Sequence, residues 1–156
     1  MIKLLVMDVD GTLTDGMLYI GENGEIMKAF NVKDGYAVAK ILPMMGIHPV
    51  IISGRISSIV ERRASELGIV DLIQGCDNKS LALNELITRL NFSFTEVGYI
   101  GDDLNDLDAM RLCAFRACPM NAVKEIKEIC HFISQKDGGQ GAIRDVIDFL
   151  YKEDSM

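Results

Sequence analysis

The chain has 156 residues, 49% of them hydrophobic and 25% charged, enough apolar material for one domain over residues 1–156 with a core of its own. Its formal net charge of −7 argues against a nucleic-acid-binding surface and against an anionic membrane face. The apolar start meets Asp8 too early for a signal peptide or a spanning helix, and four cysteines without CxxC spacing and only two histidines point to reduced thiols in a cytoplasmic protein and away from a zinc centre.

The elements follow in chain order. "IKLLVM" is a continuous apolar run, the mark of a strand covered on both faces. It stops at Asp8-Val9-Asp10-Gly11-Thr12. "MLYIGENGEIMKAF" has two short segments around Gly21-Glu22-Asn23-Gly24 and reads as a β-hairpin flap. "GYAVAKILPMMG" fits a helix that breaks around Pro43 and Gly46, and "HPVIIS" is a second buried strand, cut off by Gly54. "SSIVERRASELGI" carries a serine start, Ile59, Val60, Ala64 and Leu67 at helical spacing, and Gly68 as a stop. "KSLALNELITRL" is a second amphipathic helix. "EVGYIGDD" is a third strand ending in acids, followed by a helix over Leu104–Leu112. "CAFRAC", a helical "NAVKEIKEIC", a strand-like "HFIS" and a helical "GAIRDVIDFLYKE" complete the chain, with fraying expected at Asp154–Met156. Strands that alternate with helices predict an α/β fold of the Rossmann type, a parallel sheet with helices on both faces.

In such sheets ligands bind beyond the carboxyl ends of the strands. Three predicted strands end there in Asp8 to Thr12, in Ser53-Gly54-Arg55 and in Gly101-Asp102-Asp103, and Lys79 opens the helix between the second and the third. Carboxylates gathered at one spot repel each other unless a cation joins them, and all-oxygen ligands suit Mg²⁺. A hydroxyl, backbone N–H groups and an ammonium suit phosphate oxygens. A carboxylate in line with phosphorus is a nucleophile, and a second one protonates the leaving oxygen and then deprotonates water. Asp8 fits the first role and Asp10 the second, while Gly11 lets the chain turn and Thr12 braces the loop.

This constellation resembles the haloacid dehalogenase superfamily of phosphatases, whose four motifs match in order: "DVDGT" at 8–12, Ser53, Lys79 and "GDDLND" at 101–106. The resemblance implies catalysis by Asp8, Asp10 and Lys79, phosphate contacts from Ser53, Gly54 and Lys79, and Mg²⁺ held by Asp8, the Asp10 carbonyl and Asp102. Thr12, Asp103 and Asp106 would support these groups from just outside. The segments between the motifs leave no room for a cap domain, and capless members often cover their site by oligomerising, so a homotetramer is expected.

Further stretches look like the 3-deoxy-D-manno-octulosonate 8-phosphate (KDO 8-phosphate) phosphatases: "TDG" at 14–16, "FNVKDG" at 30–35, "SGR" at 53–55, "VERRASELGI" at 60–69, "QGCDNK" at 74–79 and "GGQGAIRDV" at 138–146. That implies a sugar acid phosphate as substrate, read by Asp10, Asn31, Val32, Lys33, Asp34, Gly35, Arg55 and Arg63, with the glycine-rich segment helping to complete the tetramer. Ala39 stands where those relatives carry a basic residue, which leaves a nonulosonate (sialic acid or KDN) 9-phosphate phosphatase as the alternative; Arg55 pulls back toward the octulosonate. A phosphoryl-receiver domain and an idle subunit of a cytidylyltransferase pathway are further alternatives, the first opposed by Asp10 and the second by the intact motifs. Blander roles compete: Ser53 or Asp34 as helix caps, Arg62 and Arg63 as a solvated helix face, and Gly138, Gly139 and Gly141 as a plain loop.

Overall fold

The computed structural model describes residues 1–154; the fraying expected at Asp154–Met156 falls at and beyond that limit. The elements are β1 (Leu4–Met7), the hairpin strands β2 (Tyr19–Gly21) and β3 (Gly24–Met27), α1 (Val32–Tyr36), α2 (Leu42–Met44), β4 (His48–Ile52), α3 (Ser58–Leu67), β5 (Asp71–Ile73), α4 (Lys79–Leu90), β6 (Val97–Ile100), α5 (Leu104–Leu112), β7 (Phe115–Cys118), α6 (Lys124–Ile129), β8 (Phe132–Ile133) and α7 (Ala142–Asp154). Six strands form a parallel sheet in the order β5-β4-β1-β6-β7-β8, and β2 and β3 form a separate antiparallel ribbon.

The period of two along β1 divides the core. Leu5 and Met7 face one layer with Val38, Leu42, Val60, Ala64, Ile143 and Ile147, so α1–α3 and α7 cover that side. Leu4 and Val6 face the other with Leu83, Leu86, Met110 and Ile126, so α4–α6 cover that one. All four β1 residues are fully buried, as the unbroken apolar run requires. Central position and parallel register put Asp8 after β1, Ser53 after β4 and Gly101-Asp102 after β6 on one edge of the sheet. No inserted cap domain lies between the motifs.

Several local expectations change. The first helix starts at Val32, and Asn31 caps it by accepting from the N–H groups of Lys33 at 2.8 Å and Asp34 at 3.3 Å; the cap is therefore Asn31, not Asp34. The helix also runs through Pro43 to Met44. The turn before it widens, with the Leu42 N–H donating to the Ala37 carbonyl five residues back, and a ring without an N–H breaks nothing there. Ser57, not Ser53, caps α3, and Gly68 ends it at φ +72°. Strand β5 is an addition to the predicted elements: its three residues give too short a pattern to separate from a loop. No helix among the described residues is long and apolar enough to cross a membrane, and all four cysteines are free.

Candidate active site

The strand ends enclose a cleft of about 350 Å³ lined by Asp8, Asp10, Gly11, Ser53, Gly54, Arg55, Asp102 and Asp103, all given roles from the sequence, by Asp15 and Gly16 of "TDG" and Asn105 of "GDDLND", which lie in matched stretches without an assigned role, and by Leu18 and Asn121, which lie outside them. Asp8 leaves β1 with its N–H donating to the Ile100 carbonyl at 3.0 Å, which fixes its root against β6. The chain then makes one wide turn over Val9–Leu13, closed by Thr14 N–H on the Val9 carbonyl at 3.0 Å. Gly11 sits at φ +93°, and a Cβ there would lie 2.7 Å from the Asp102 carboxyl carbon. Only glycine lets this turn press against Asp102.

Behind the cleft is a buried charge cluster. The Lys79 ammonium, at the start of α4, donates to Asp8 Oδ1 at 2.6 Å and to Asp106 Oδ1 at 2.7 Å. Asp106 also accepts from the Tyr99 hydroxyl at 2.9 Å and the Asp102 N–H at 3.2 Å. Its bonding capacity is thus spent on structure, the supporting role expected of it. The Thr12 hydroxyl donates to Asp102 Oδ1 at 2.9 Å, so this brace holds an acid as well as the loop. Asp103 caps α5 through the Leu104 N–H at 2.7 Å.

Three carboxylates here face one ammonium. Oxygens of Asp8, Asp102 and Asp106 lie within 4.8 Å of one another. Burial first, then repulsion from Asp106, pushes the Asp8 carboxyl well above the usual carboxylate range. Burial pushes Asp102 up to about 6. Burial alone would lower the Lys79 ammonium, but Asp8 and Asp106 raise it above the ordinary lysine value, so it stays charged. A hard divalent cation against Asp8 and Asp102 would remove the remaining repulsion, and the donors are all oxygen, so the residues fit Mg²⁺.

Ser53 is buried at the cleft wall, its backbone tied to Ile73 and Cys76, and serves no helix as a cap. Asp10 is the more exposed acid. Its Oδ1 accepts from the Lys28 ammonium at 2.5 Å, and its Oδ2 lies 4.0 Å from Arg55 Nε. Lys28, at the foot of the hairpin, has a side chain only 1% exposed and also pairs with Glu25 at 2.8 Å, while Glu25 accepts from the Ser57 hydroxyl. Lys28 belongs to none of the motifs. Its only signal is a lone cation between the apolar pairs Ile26-Met27 and Ala29-Phe30.

The other expected substrate contacts fall elsewhere in this chain. Asn31 is spent as a cap, Val32 is 80% exposed, and Lys33 and Gly35 do not line the cleft. Asp34 is 1% exposed and accepts from the Arg144 N–H at 2.8 Å. Arg63 lies over the Phe30 ring at 5.5 Å, pairs with Glu66 at 3.4 Å and covers Gly35. Arg62 is the solvated member of the pair. Of the two arginines expected to grip substrate, Arg55 alone lines the cleft.

Lys28 makes a prediction about Asp10. Lys28→Met should slow hydrolysis of an alkyl phosphate by about tenfold or more, because general acid–base catalysis supplies about 10²–10⁴-fold and depends on placement. p-Nitrophenyl phosphate, whose leaving group scarcely needs a proton, should lose much less. Equal losses in steady-state kinetics on the two esters would show that Lys28 does not act through Asp10.

An α/β sheet whose strand ends carry paired aspartates, a buried lysine and a third acid defines a class of phosphoryl-handling hydrolases. A family model of the haloacid dehalogenase-like hydrolases matches residues 51–147, and the chain belongs to that family as a phosphatase. It is 41% identical over 149 residues to the 3-deoxy-D-manno-octulosonate 8-phosphate phosphatase KdsC of Salmonella typhi, covering 96% of this chain and 79% of that protein. The crystal structure of the same phosphatase from Moraxella catarrhalis, in complex with magnesium ion, phosphate ion and KDO, is 42% identical with a TM-score of 0.92, over 97% of this chain and 86% of that one. The cobalt-bound phosphatase of Haemophilus influenzae is 35% identical, also with a TM-score of 0.92, over 97% and 88% of the two chains.

Proposed function

We propose that this protein is a Mg²⁺-dependent phosphatase of KDO 8-phosphate that works through an aspartyl-phosphate on Asp8. The observation that carries this reading is the pairing of a buried, lysine-held Asp8 with a more exposed Asp10 in one cleft, beside Asp102. The named relatives support the sugar. Asp8, the Asp10 carbonyl and Asp102 would hold the ion, which when bound supplies positive charge to the phosphate and the carboxylates.

Lys79 keeps one oxygen of Asp8 occupied and the side chain aimed, so the other oxygen attacks phosphorus. The phosphorus–sugar oxygen bond breaks as Asp10 gives that oxygen its proton. Asp10 then takes a proton from water, the water oxygen attacks the same phosphorus, and the bond to Asp8 breaks. Inorganic phosphate leaves and both acids are restored. The Ser53 hydroxyl, the Gly54 N–H and Lys79 cradle the phosphate oxygens.

Arg55 on the cleft wall, its side chain 49% exposed, is placed to receive the sugar carboxylate. Asn31 to Gly35 and Arg63 lie outside the chain's own cleft, and in our reading the exposed Val32 and Lys33 and the partly exposed Arg63 contribute where another copy docks, while Asp34 and Gly35 are buried and do not. A homotetramer is supported by the open cleft and by the hairpin, which exposes Ile20 by 57%, Ile26 by 64% and Met27 by 50%. Four free thiols accord with a cytoplasmic setting.

Kinetics on KDO 8-phosphate, N-acetylneuraminate 9-phosphate and p-nitrophenyl phosphate, with and without EDTA, test the reading. We expect kcat/KM to be highest for KDO 8-phosphate, and to exceed that for p-nitrophenyl phosphate, which has no carboxylate for Arg55, by about tenfold or more, the worth of one charge-assisted contact. EDTA should abolish activity on all three and Mg²⁺ restore it. Preference for the 9-phosphate would move the substrate to the nonulosonates, and full activity in EDTA would remove the metal from the mechanism.

A further inference from the structure

The glycine-rich segment before α7 lies directly on the loop that carries Asp8 and Asp10. The Gly139 N–H donates to the Thr12 carbonyl at 3.3 Å, and the Gly138 N–H donates to Asn121 Oδ1 at 3.1 Å. A Cβ on Gly138 would overlap the Gly11 carbonyl, lying 2.6 Å from its carbon and 2.8 Å from the Thr14 oxygen. A Cβ on Gly139 would lie 2.5 Å from the Asp15 nitrogen and 2.7 Å from the Thr14 carbonyl carbon. Every one of these obstacles is backbone, which cannot swing aside as a side chain can. Gly138 has no positive φ, so conformational freedom does not account for glycine there; space does.

The segment is itself anchored. Asp34, buried on α1, accepts from the Arg144 N–H in the first turn of α7 at 2.8 Å. A chain of contacts therefore runs from Asp34 through α7 and Gly138-Gly139 to the carbonyls of Gly11, Thr12 and Thr14.

We propose that Gly138 and Gly139 are positioning residues for catalysis: their bare backbone is the surface that sets where the Asp8–Gly16 loop sits, and Asp34 holds that surface in place. The inference rests on the proposed roles of Asp8 and Asp10, but its readouts, a small ester and the metal alone, do not depend on the sugar. An added methyl at Gly138 would push the Gly11 carbonyl by an ångström or more, moving Asp10 and its carbonyl against Asp102. Such a misplacement costs turnover about 10²-fold while a small substrate still binds.

The test compares Gly138→Ala with Gly68→Ala. Gly68 sits at φ +72° with open space around its would-be Cβ and lies away from the cleft, so its variant is destabilised without touching the loop. The measurements are kcat and KM for p-nitrophenyl phosphate well below the melting temperature, and Mg²⁺ affinity by titration calorimetry. Gly138→Ala should lose about 100-fold in kcat, change KM by less than about threefold and bind Mg²⁺ more weakly. Gly68→Ala should lower the melting temperature with native kcat and native Mg²⁺ affinity. Native kcat in a folded Gly138→Ala, or a matching kcat loss in Gly68→Ala, would overturn the proposal. Should Gly138→Ala fail to fold, Asp34 decides. Asp34→Ala removes the acceptor for Arg144 and should lower kcat and weaken Mg²⁺ binding, whereas Asp34→Asn keeps an acceptor and should restore both. A native kcat in Asp34→Ala, or no recovery with Asn, would overturn it. Loss of sugar preference with these results intact would count against the KDO reading alone.

Discussion

Asp8→Asn should lower turnover by about 10⁴-fold or more and leave the melting temperature unchanged or higher. An amide oxygen is too weak a nucleophile to displace the sugar oxygen, and it is a poorer ligand for a hard cation. The stability half follows from the electrostatics. Burial and Asp106 hold the Asp8 carboxyl well above its usual range, so the folded chain binds that proton more tightly than the unfolded chain does. At neutral pH the ionised carboxylate therefore works against folding, and the penalty fades as pH falls. Asparagine removes the charge yet still offers Lys79 an acceptor. Thermal melts with kinetics on protein checked for deamidation measure both halves. A near-native rate would remove Asp8 as the nucleophile.

Lys79→Met should damage the fold as well as the chemistry. Its ammonium is the one cation shared by Asp8 and Asp106, at 2.6 and 2.7 Å, in a side chain 1% exposed. Taking one partner from a buried ion pair costs about 3–5 kcal/mol, because the charge left behind has no water to turn to. For a domain of this size that is on the order of 10 °C in melting temperature. The deficit has a sign with pH. In the variant the Asp8 carboxyl, already held above its usual range by burial and Asp106, favours its protonated form still more strongly, so acid relieves it, and the gap to wild type should narrow from about pH 8 to about pH 5. Activity should fall by several powers of ten, since the nucleophile loses its aim and the phosphate a positive neighbour. A variant that melts with the wild type at both pH values would show that the cluster is not held by Lys79.

The sequence made the core of this site legible because its chemistry sits at strand ends. A buried run such as Leu4–Met7 has no reason to end in Asp8 and Asp10 unless something binds there, and parallel order then brings Ser53 and Asp102 to the same edge. The hairpin and the helices α3 to α5 were equally plain, since their caps, stops and periodicity are local. What stayed hidden depends on contacts through space. Lys28 looks like a surface lysine until the hairpin folds over Asp10. Gly138 meets Gly11 across more than a hundred residues, and no local pattern announces that contact. Arg63 carries the right chemistry for a carboxylate, but one turn of helix decides whether it points to the cleft or to Phe30. Strand β5 is simply too short to show a period.

The central claim is that phosphate passes through Asp8 on its way to water, and the stereochemistry at phosphorus tests it most directly. A substrate ester carrying a phosphorothioate with two oxygen isotopes, hydrolysed in water containing the third, releases a chiral thiophosphate. Two successive in-line displacements, first by Asp8 and then by water, should give overall retention of configuration. Inversion would mean a single direct attack by water, and would contradict the aspartyl-phosphate account.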